Sequence, residues 1–411
     1  MDSSPTRIRT IPVNRPDVKP GDFAAFFNPR CSTRELESYF ADWLGGSKSC
    51  LFTASGKIAI YLLFKFLDIK GNVVTSPLTC RMALAPIIAN NVPLKFADVN
   101  PETFNLDVNS LESAIDENTR AVYLVHLGGN PCNLRAIKEI TSKRNILLIE
   151  DCAQALGSSY EGTKVGNFGD YSCFSFSKNA WLCGGGMICS DNKSILEEIR
   201  KYQEKLPDIP RGLLYFRLKR DFLESRRGNP VFDMIYYWKF LRNFQDANVD
   251  IEVSSYFQKK DVLHRPSNIQ ASVIRRQLSD IDIRNRRRAA NAEYLTALLP
   301  ENFFPQKVEK ASESVYSKYY LLSKIESKKL IKYLMSRGID AKHLTKSHRF
   351  HLQTRFDKDD MFKNCKSIDQ CINYKEMHDR IVTLPVSSNM TLKELSYITE
   401  ILRAAEKGVV K

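Results

Sequence analysis

Lys178 stands in the run Phe174-Ser175-Phe176-Ser177-Lys178-Asn179, shortly before three consecutive glycines, Gly184-Gly185-Gly186. Upstream, the apolar run Ile146-Leu147-Leu148-Ile149 ends in Glu150-Asp151. An amine after one strand and a carboxylate after another can address opposite sides of one small heterocycle. Pyridoxal 5'-phosphate (PLP) chemistry needs that pair. The lysine condenses with the aldehyde, and the aspartate keeps the pyridine nitrogen protonated so that the ring withdraws electrons. Alone, Lys178 could be an ordinary surface lysine and Asp151 a helix cap. Their setting between strand and glycine run favours chemistry.

Regular elements must position these groups. Apolar and helical patterns alternate: helix 58–67, strand 72–75, helix 82–90, strand 93–98, helix 108–115, strand 121–126, helix 134–142 and strand 146–151. Short apolar runs between helices predict a mostly parallel α/β sheet covered on both faces. Ligands of such sheets collect at the carboxyl ends of the strands, where His126 and Asp151 are expected.

Residues 1–30 are Pro-rich and polar and read as an N-terminal arm, followed by an amphipathic helix over 33–43. A large domain is expected over 31–270, with a helical insertion at about 205–265. That insertion mixes aromatic with basic residues, as in Met234-Ile235-Tyr236-Tyr237-Trp238. Residues 271–411 are expected to form a smaller α+β domain, with a strand over 319–324 and helices over 328–337 and 392–405.

The 411 residues carry a formal charge of +14, with a dense run at Arg284-Asn285-Arg286-Arg287-Arg288. Either a solvated helix face or capture of an anionic substrate would account for that run. No helix-turn-helix, RNA-binding or zinc-finger pattern accompanies it, so nucleic acid is not expected. Ten cysteines are scattered without paired C-x-x-C spacing, so no metal or disulfide framework is expected. No apolar run is long enough to cross a bilayer, and a cytoplasmic setting is expected.

The ordered motifs resemble the DegT/DnrJ/EryC1/StrS family of sugar aminotransferases, which have the fold-type-I PLP architecture; the resemblance implies that the sheet is seven-stranded. The resemblance is carried by Thr53-Ala54-Ser55-Gly56-Lys57, Phe96-Ala97-Asp98-Val99, Asn105-Leu106-Asp107, Val125-His126-Leu127-Gly128-Gly129-Asn130-Pro131 and Ile149-Glu150-Asp151-Cys152-Ala153-Gln154. It continues through Val165-Gly166-Asn167-Phe168-Gly169-Asp170, the Lys178 and glycine runs, Arg337-Gly338-Ile339-Asp340 and Val382-Thr383-Leu384-Pro385.

The resemblance implies that Lys178 binds PLP covalently, that Asp151 faces the pyridine nitrogen and that Gln154 bonds the ring hydroxyl. It implies a phosphate cup from Ser55, Gly56, Lys57 and either Ser175 or Ser177, with Cys80 against the ring face. It further implies a homodimer with its site at the subunit interface, a glutamate or glutamine donor, and an anionic, nucleotide-linked keto-sugar acceptor. The chain departs from the family pattern in several places. Lys57 replaces a hydroxyl residue, Cys80 an aromatic, and Gly184 an acidic residue. Arg265 stands near the position of an asparagine supplied by the neighbouring subunit. His343 and His348 follow Gly338-Ile339, where substrate-facing residues are expected. These departures keep open a non-catalytic homologue with a binding or regulatory role, and the aromatic-basic insertion at about 205–265 keeps open a non-sugar or lipid-linked carbonyl acceptor met at a membrane surface.

Overall fold

The computed structural model describes residues 10–178, 183–236, 257, 262–344 and 366–409. The first part of the chain runs α1 (Pro20–Phe27), α2 (Thr33–Leu44), β1 (Ser49–Thr53), α3 (Gly56–Leu67), β2 (Asn72–Thr75), α4 (Arg81–Ile88) and β3 (Leu94–Phe96). Next come α5 (Val108–Ala114), β4 (Thr119–Val125), α6 (Leu134–Lys143), β5 (Leu147–Asp151), β6 (Ser159–Tyr160) and β7 (Thr163–Lys164). Strands β8 (Tyr171–Ser175) and β9 (Gly186–Ser190) precede helices α7 (Lys193–Glu204), α8 (Arg211–Ser225) and α9 (Pro230–Tyr236). After α10 (Asn268–Leu278) and α11 (Ile281–Ala297) come β10 (Phe303–Pro305), β11 (Ser312–Glu313), β12 (Tyr319–Ser323) and α12 (Ser327–Ser336). The chain closes with β13 (Lys342–His343), α13 (Ile372–Met377), β14 (Ile381–Leu384) and α14 (Leu392–Ala404).

Seven strands form the main sheet in the order β1-β9-β8-β5-β4-β2-β3. Pairing is parallel from β8 across to β3, and β9 alone runs against its neighbours. The mostly parallel, seven-stranded expectation is met. Burial on both faces explains why its strands read as continuous apolar runs: Val122, Tyr123, Leu124, Leu148 and Ile149 are all at most 2% exposed. A second, antiparallel sheet, β10-β12-β14-β13, packs α12 and α14 against its own core of Leu321, Leu330, Val382 and Leu395.

The Pro-rich opening is not a loose arm from residue 10 on. Ile11 is 1% exposed and bridges Ile339, and α1 lies against α10. The basic run on α11 is not simply a solvated face either. Arg284 and Arg288 are 2% and 6% exposed, whereas Arg286 and Arg287 face water. One helix turn separates residues 284 and 288, so helical spacing places both on the inward face.

In the insertion, α8 buries Leu214 and Leu218 while Tyr215 and Phe216 are about half exposed. Tyr237 and Trp238 lie outside the described residues. No helix among the described residues is long and apolar enough to cross a membrane, and the nine cysteines among them are free thiols.

One buried charge organises the turn that leads into β8. Glu150, fully buried, accepts N–H bonds from Gly166 (2.8 Å), Phe168 (2.9 Å) and Gly169 (2.7 Å), and pairs with His126 Nε2 at 3.1 Å. Burial alone would raise its titration. The His126 pairing and the amide donors outweigh burial and hold the carboxyl below its ordinary value. Its stabilisation is therefore present above the unfolded-state carboxyl value and is lost as pH falls through the folded one. Glu150→Ala leaves four polar partners orphaned and is expected to cost about 3–5 kcal/mol in urea unfolding.

Candidate active site

The carboxyl ends of β1, β8, β5 and β4 share one edge of the sheet, because β9 is the strand that reverses. Gly186, the first residue of β9, pairs with both Thr53 and Ser175 at that edge. Lys178 leaves β8 there, half-buried, in the turn between β8 and β9.

Asp151 ends β5 on the adjacent strand, 4% exposed. Its Oδ1 accepts from the Ala153 N–H at 2.9 Å, and its Oδ2 from the Tyr123 hydroxyl at 2.8 Å. Burial pushes this carboxyl above its ordinary value, opposed by those two donors and, more weakly, by the nearby Lys178 charge. The carboxylate and the Lys178 ammonium thus act on one another across the sheet edge. A buried carboxylate held by two neutral donors favours an added positive charge, such as a ring N–H⁺.

The start of α3 supplies an anion-binding end. Ser55 caps the helix by accepting from the Ile58 N–H at 3.3 Å. The N–H groups of the first turn point outward along the helix axis, and with the helix dipole they favour a phosphate. Ser175 and Ser177, 2.9 Å apart between hydroxyls, stand beside this turn. Ser177 is the more exposed of the two. Lys57, half-buried, adds a cation to the same turn.

Gly56 is required by space: a methyl there would lie 2.7 Å from Ser175 Cβ and 3.0 Å from its Oγ. Gly56→Ala is expected to force α3 away from β8 and cost about 1–3 kcal/mol in thermal unfolding. Ser175→Gly in the same background should restore part of that loss. These residues fit PLP: a phosphate end at α3, a carboxylate for the pyridine nitrogen, and an amine between them.

Side chains that sequence reading missed hold the turn in place. Gln270, fully buried on α10, donates Nε2 to Ala54 O (3.1 Å) and Cys183 O (2.9 Å), tying the start of α3 to the glycine run. Arg217 of α8 donates to the same Cys183 carbonyl at 3.0 Å. Cys183 and Gly184 take the left-handed conformation, φ 64° and 68°, which reverses the chain into β9. A Cβ at 184 would lie 3.0 Å from Arg217 Nη1, at a φ of 68° that L side chains rarely adopt.

The remaining predicted residues divide. Gln154 Oε1 accepts from the Gly128 N–H (3.0 Å) and the Tyr320 hydroxyl (3.4 Å), joining the two sheets beside Asp151. Cys80 caps α4 close to the phenols of Tyr123 and Tyr320, whose titrations it helps to raise after burial.

His126 is fully buried and satisfied: the Cys132 N–H donates to Nδ1 at 3.1 Å, leaving Nε2–H for Glu150. Although His126, Glu150 and Cys152 cluster at metal-ligand spacing, the imidazole has no lone pair left for an ion. Arg265 is spent on exposed Asp208, through two bonds of 2.5 and 2.8 Å. It lines a groove of about 880 Å³ that contains neither Lys178 nor Asp151. His343 donates into the small sheet's surroundings at Asp379 O, 3.0 Å. His348 lies outside the described residues.

The chain is 35% identical to a GDP-perosamine synthase of Escherichia coli O157:H7 over 148 residues, 35% of this chain and 41% of that one. It is 26% identical over 373 residues to a protein named putative pyridoxal phosphate-dependent aminotransferase EpsN, from Bacillus subtilis, covering 87% and 84%. The chain matches less than half the length of several curated relatives, as in the first of these pairs. The solved structure of E. coli GDP-4-keto-6-deoxy-D-mannose-3-dehydratase, with bound hydrated PLP, superposes with a TM-score of 0.75 at 20% identity. That superposition covers 96% of this chain and 99% of the other, so the fold is shared. Residues 27–206 and 254–403 match the DegT/DnrJ/EryC1/StrS aminotransferase family, to which this chain therefore belongs.

Proposed function

We propose that this protein is a PLP-dependent aminotransferase that moves an amino group from glutamate or glutamine to a keto-sugar, the sugar being joined to a nucleotide diphosphate. The observation that carries the reading is the convergence of Lys178, Asp151 and the start of α3 on one sheet edge. When bound, PLP would supply an electron sink that stabilises negative charge at the carbon bearing the amine. Lys178 would hold the cofactor and then move a proton between substrate and cofactor carbons. Asp151, oriented by Tyr123 and the Ala153 amide, would keep the pyridine nitrogen protonated. Ser55, Gly56, Lys57, Ser175 and Ser177 would hold the phosphate, Gln154 the ring hydroxyl, and Cys80 one ring face.

The relatives named for GDP- and dTDP-linked sugars support a nucleotide-linked acceptor, and the formal charge of +14 suits a diphosphate. We further propose a cytoplasmic homodimer with its site at the subunit interface, and a large PLP-binding part over 31–270 followed by a smaller one over 271–411.

The test is spectroscopic. Protein saturated with PLP should lose the absorbance of the lysine-bound cofactor when glutamate or glutamine is added, and regain it when a nucleotide-linked keto-sugar follows. Failure to retain PLP at saturation would remove the proposal. Retention without any response to donors would leave a binding or regulatory protein.

A further inference from the structure

Lys318 stands just before β12 in the seam between the two sheets, anchored by its own N–H to Gly128 O at 3.3 Å. Among the described residues the one hydrogen-bond partner of its ammonium is a neutral amide oxygen, Asn14 Oδ1. The charged groups that face it come from four elements. They are Lys178 of the β8–β9 turn, Lys342 of β13, Arg288 of α11 and Glu224 of α8.

Glu224, the carboxylate among these groups, is a weak partner. Burial, and then its neighbour Asp221, raise the titration of Glu224. The Arg288 guanidinium is committed to Asn285 Oδ1 and Val315 O. Lys342 is shared with Asp340, which also takes Arg227 and the Val13 N–H. Next to Lys318, the Ser317 hydroxyl is buried and has no hydrogen-bond partner among the described residues. A half-buried ammonium among cations, with an amide as its nearest acceptor, lacks the oxyanion that normally offsets such a cluster.

We propose that Lys318 is the cation of an oxyanion subsite beside Lys178, which takes a carboxylate or phosphate group carried by a reactant. The inference rests on the aminotransferase reading and adds a subsite to it. Its two possible sources are the carboxylate of the amino donor and the diphosphate of the acceptor. Burial, and then the nearby Lys178 charge, push the Lys318 ammonium down to about 7. Binding an oxyanion restores the charged form, so binding should take up a proton near neutral pH.

The experiment uses the PLP-loaded protein and two unreactive probes, glutarate and inorganic pyrophosphate, titrated calorimetrically in buffers of different ionisation heat. Wild type is compared with Lys318→Met and Lys318→Arg. The expected result is that at least one probe binds about tenfold or more weakly to Lys318→Met, the loss expected for one charge-assisted contact. Lys318→Arg should keep the affinity but lose the proton uptake. Dependence of glutarate alone assigns the subsite to the donor, and of pyrophosphate alone to the acceptor.

Equal affinity of both probes in all three proteins overturns the inference, as does proton uptake that persists in Lys318→Arg. Should Lys318→Met not fold, the arginine variant decides on proton uptake. Loading is scored separately, by the mass of borohydride-reduced protein. A protein that holds PLP on Lys178 but binds probes without regard to Lys318 fails only the subsite. One that never takes PLP fails the functional reading, and the probes then test the subsite on the unloaded chain.

Discussion

Lys178→Ala should abolish the covalent link to PLP and lower the transfer of nitrogen from donor to cofactor by about 10⁴-fold or more. Two roles fall together. On the proposed function the amine would form the bond that borohydride fixes and would later carry the proton between carbons, a role worth roughly 10²–10⁴-fold by itself. The check pairs the mass of the reduced protein with single-turnover rates. The variant should show no mass increment while still binding PLP, because Ser55, Ser175 and Ser177, proposed to hold the phosphate, are positioned by bonds that do not involve Lys178. Lys178 is half-buried in a turn, so its removal leaves no core cavity and the fold should persist. Exogenous methylamine should restore part of the proton transfer but no covalent attachment. A variant that retained wild-type turnover would place the reactive amine elsewhere, with Lys318 the first candidate because it is close enough for the Lys178 charge to act on it.

What the sequence disclosed about this site is what lies close together along the chain. Lys178 and the glycine run are neighbours in one turn, Asp151 ends an apolar strand, and Ser55-Gly56 opens a helix. Each is a local signature with a local physical cause. The residues that were missed act over long separations. Gln270 reaches Ala54 across 216 positions, and Arg217 reaches Cys183 across 34. Nothing in the sequence around Gln270 marks it as buried, since a capping-box glutamine after Ser267 would read as exposed. Tyr123 looked like one more strand residue, because its hydroxyl finds Asp151 only once β4 and β5 pair.

Charge misled in the same way. A solvated face was one open reading of the basic run, and it fails for Arg284 and Arg288 once α11 is packed, while Arg265 pairs with Asp208 within its own chain. Sequence periodicity reports which face turns inward. It cannot say which charged groups the inward face will meet.

Asp151→Asn should leave the chain folded yet reduce turnover by about 10²–10³-fold, within the range expected when a group that sets protonation at the reacting centre is lost. The amide is nearly isosteric, and its oxygen and nitrogen can meet the Ala153 N–H and the Tyr123 oxygen that the carboxylate meets now. It cannot stabilise a positive charge on the ring nitrogen, so the ring would bind but withdraw electrons poorly.

The same variant separates catalysis from stability by sign. Burial raises the Asp151 carboxyl above its unfolded value. Its folded-state contribution is therefore intact below the unfolded value and declines as pH rises through the folded one, so the ionised group is a cost to the cofactor-free protein near neutrality. Asp151→Asn removes that cost, and the cofactor-free variant should melt at or above the wild-type temperature at neutral pH, with the difference vanishing in acid. On the proposed function PLP would reverse the order: its ring N–H⁺ would pair with the ionised carboxylate in wild type and not with the amide, so added PLP should raise the melting temperature of the wild type by more than that of the variant. Thermal scans with and without PLP, at acid and neutral pH, read all four values. An equal increment from PLP in both proteins would mean that the ring nitrogen does not face residue 151.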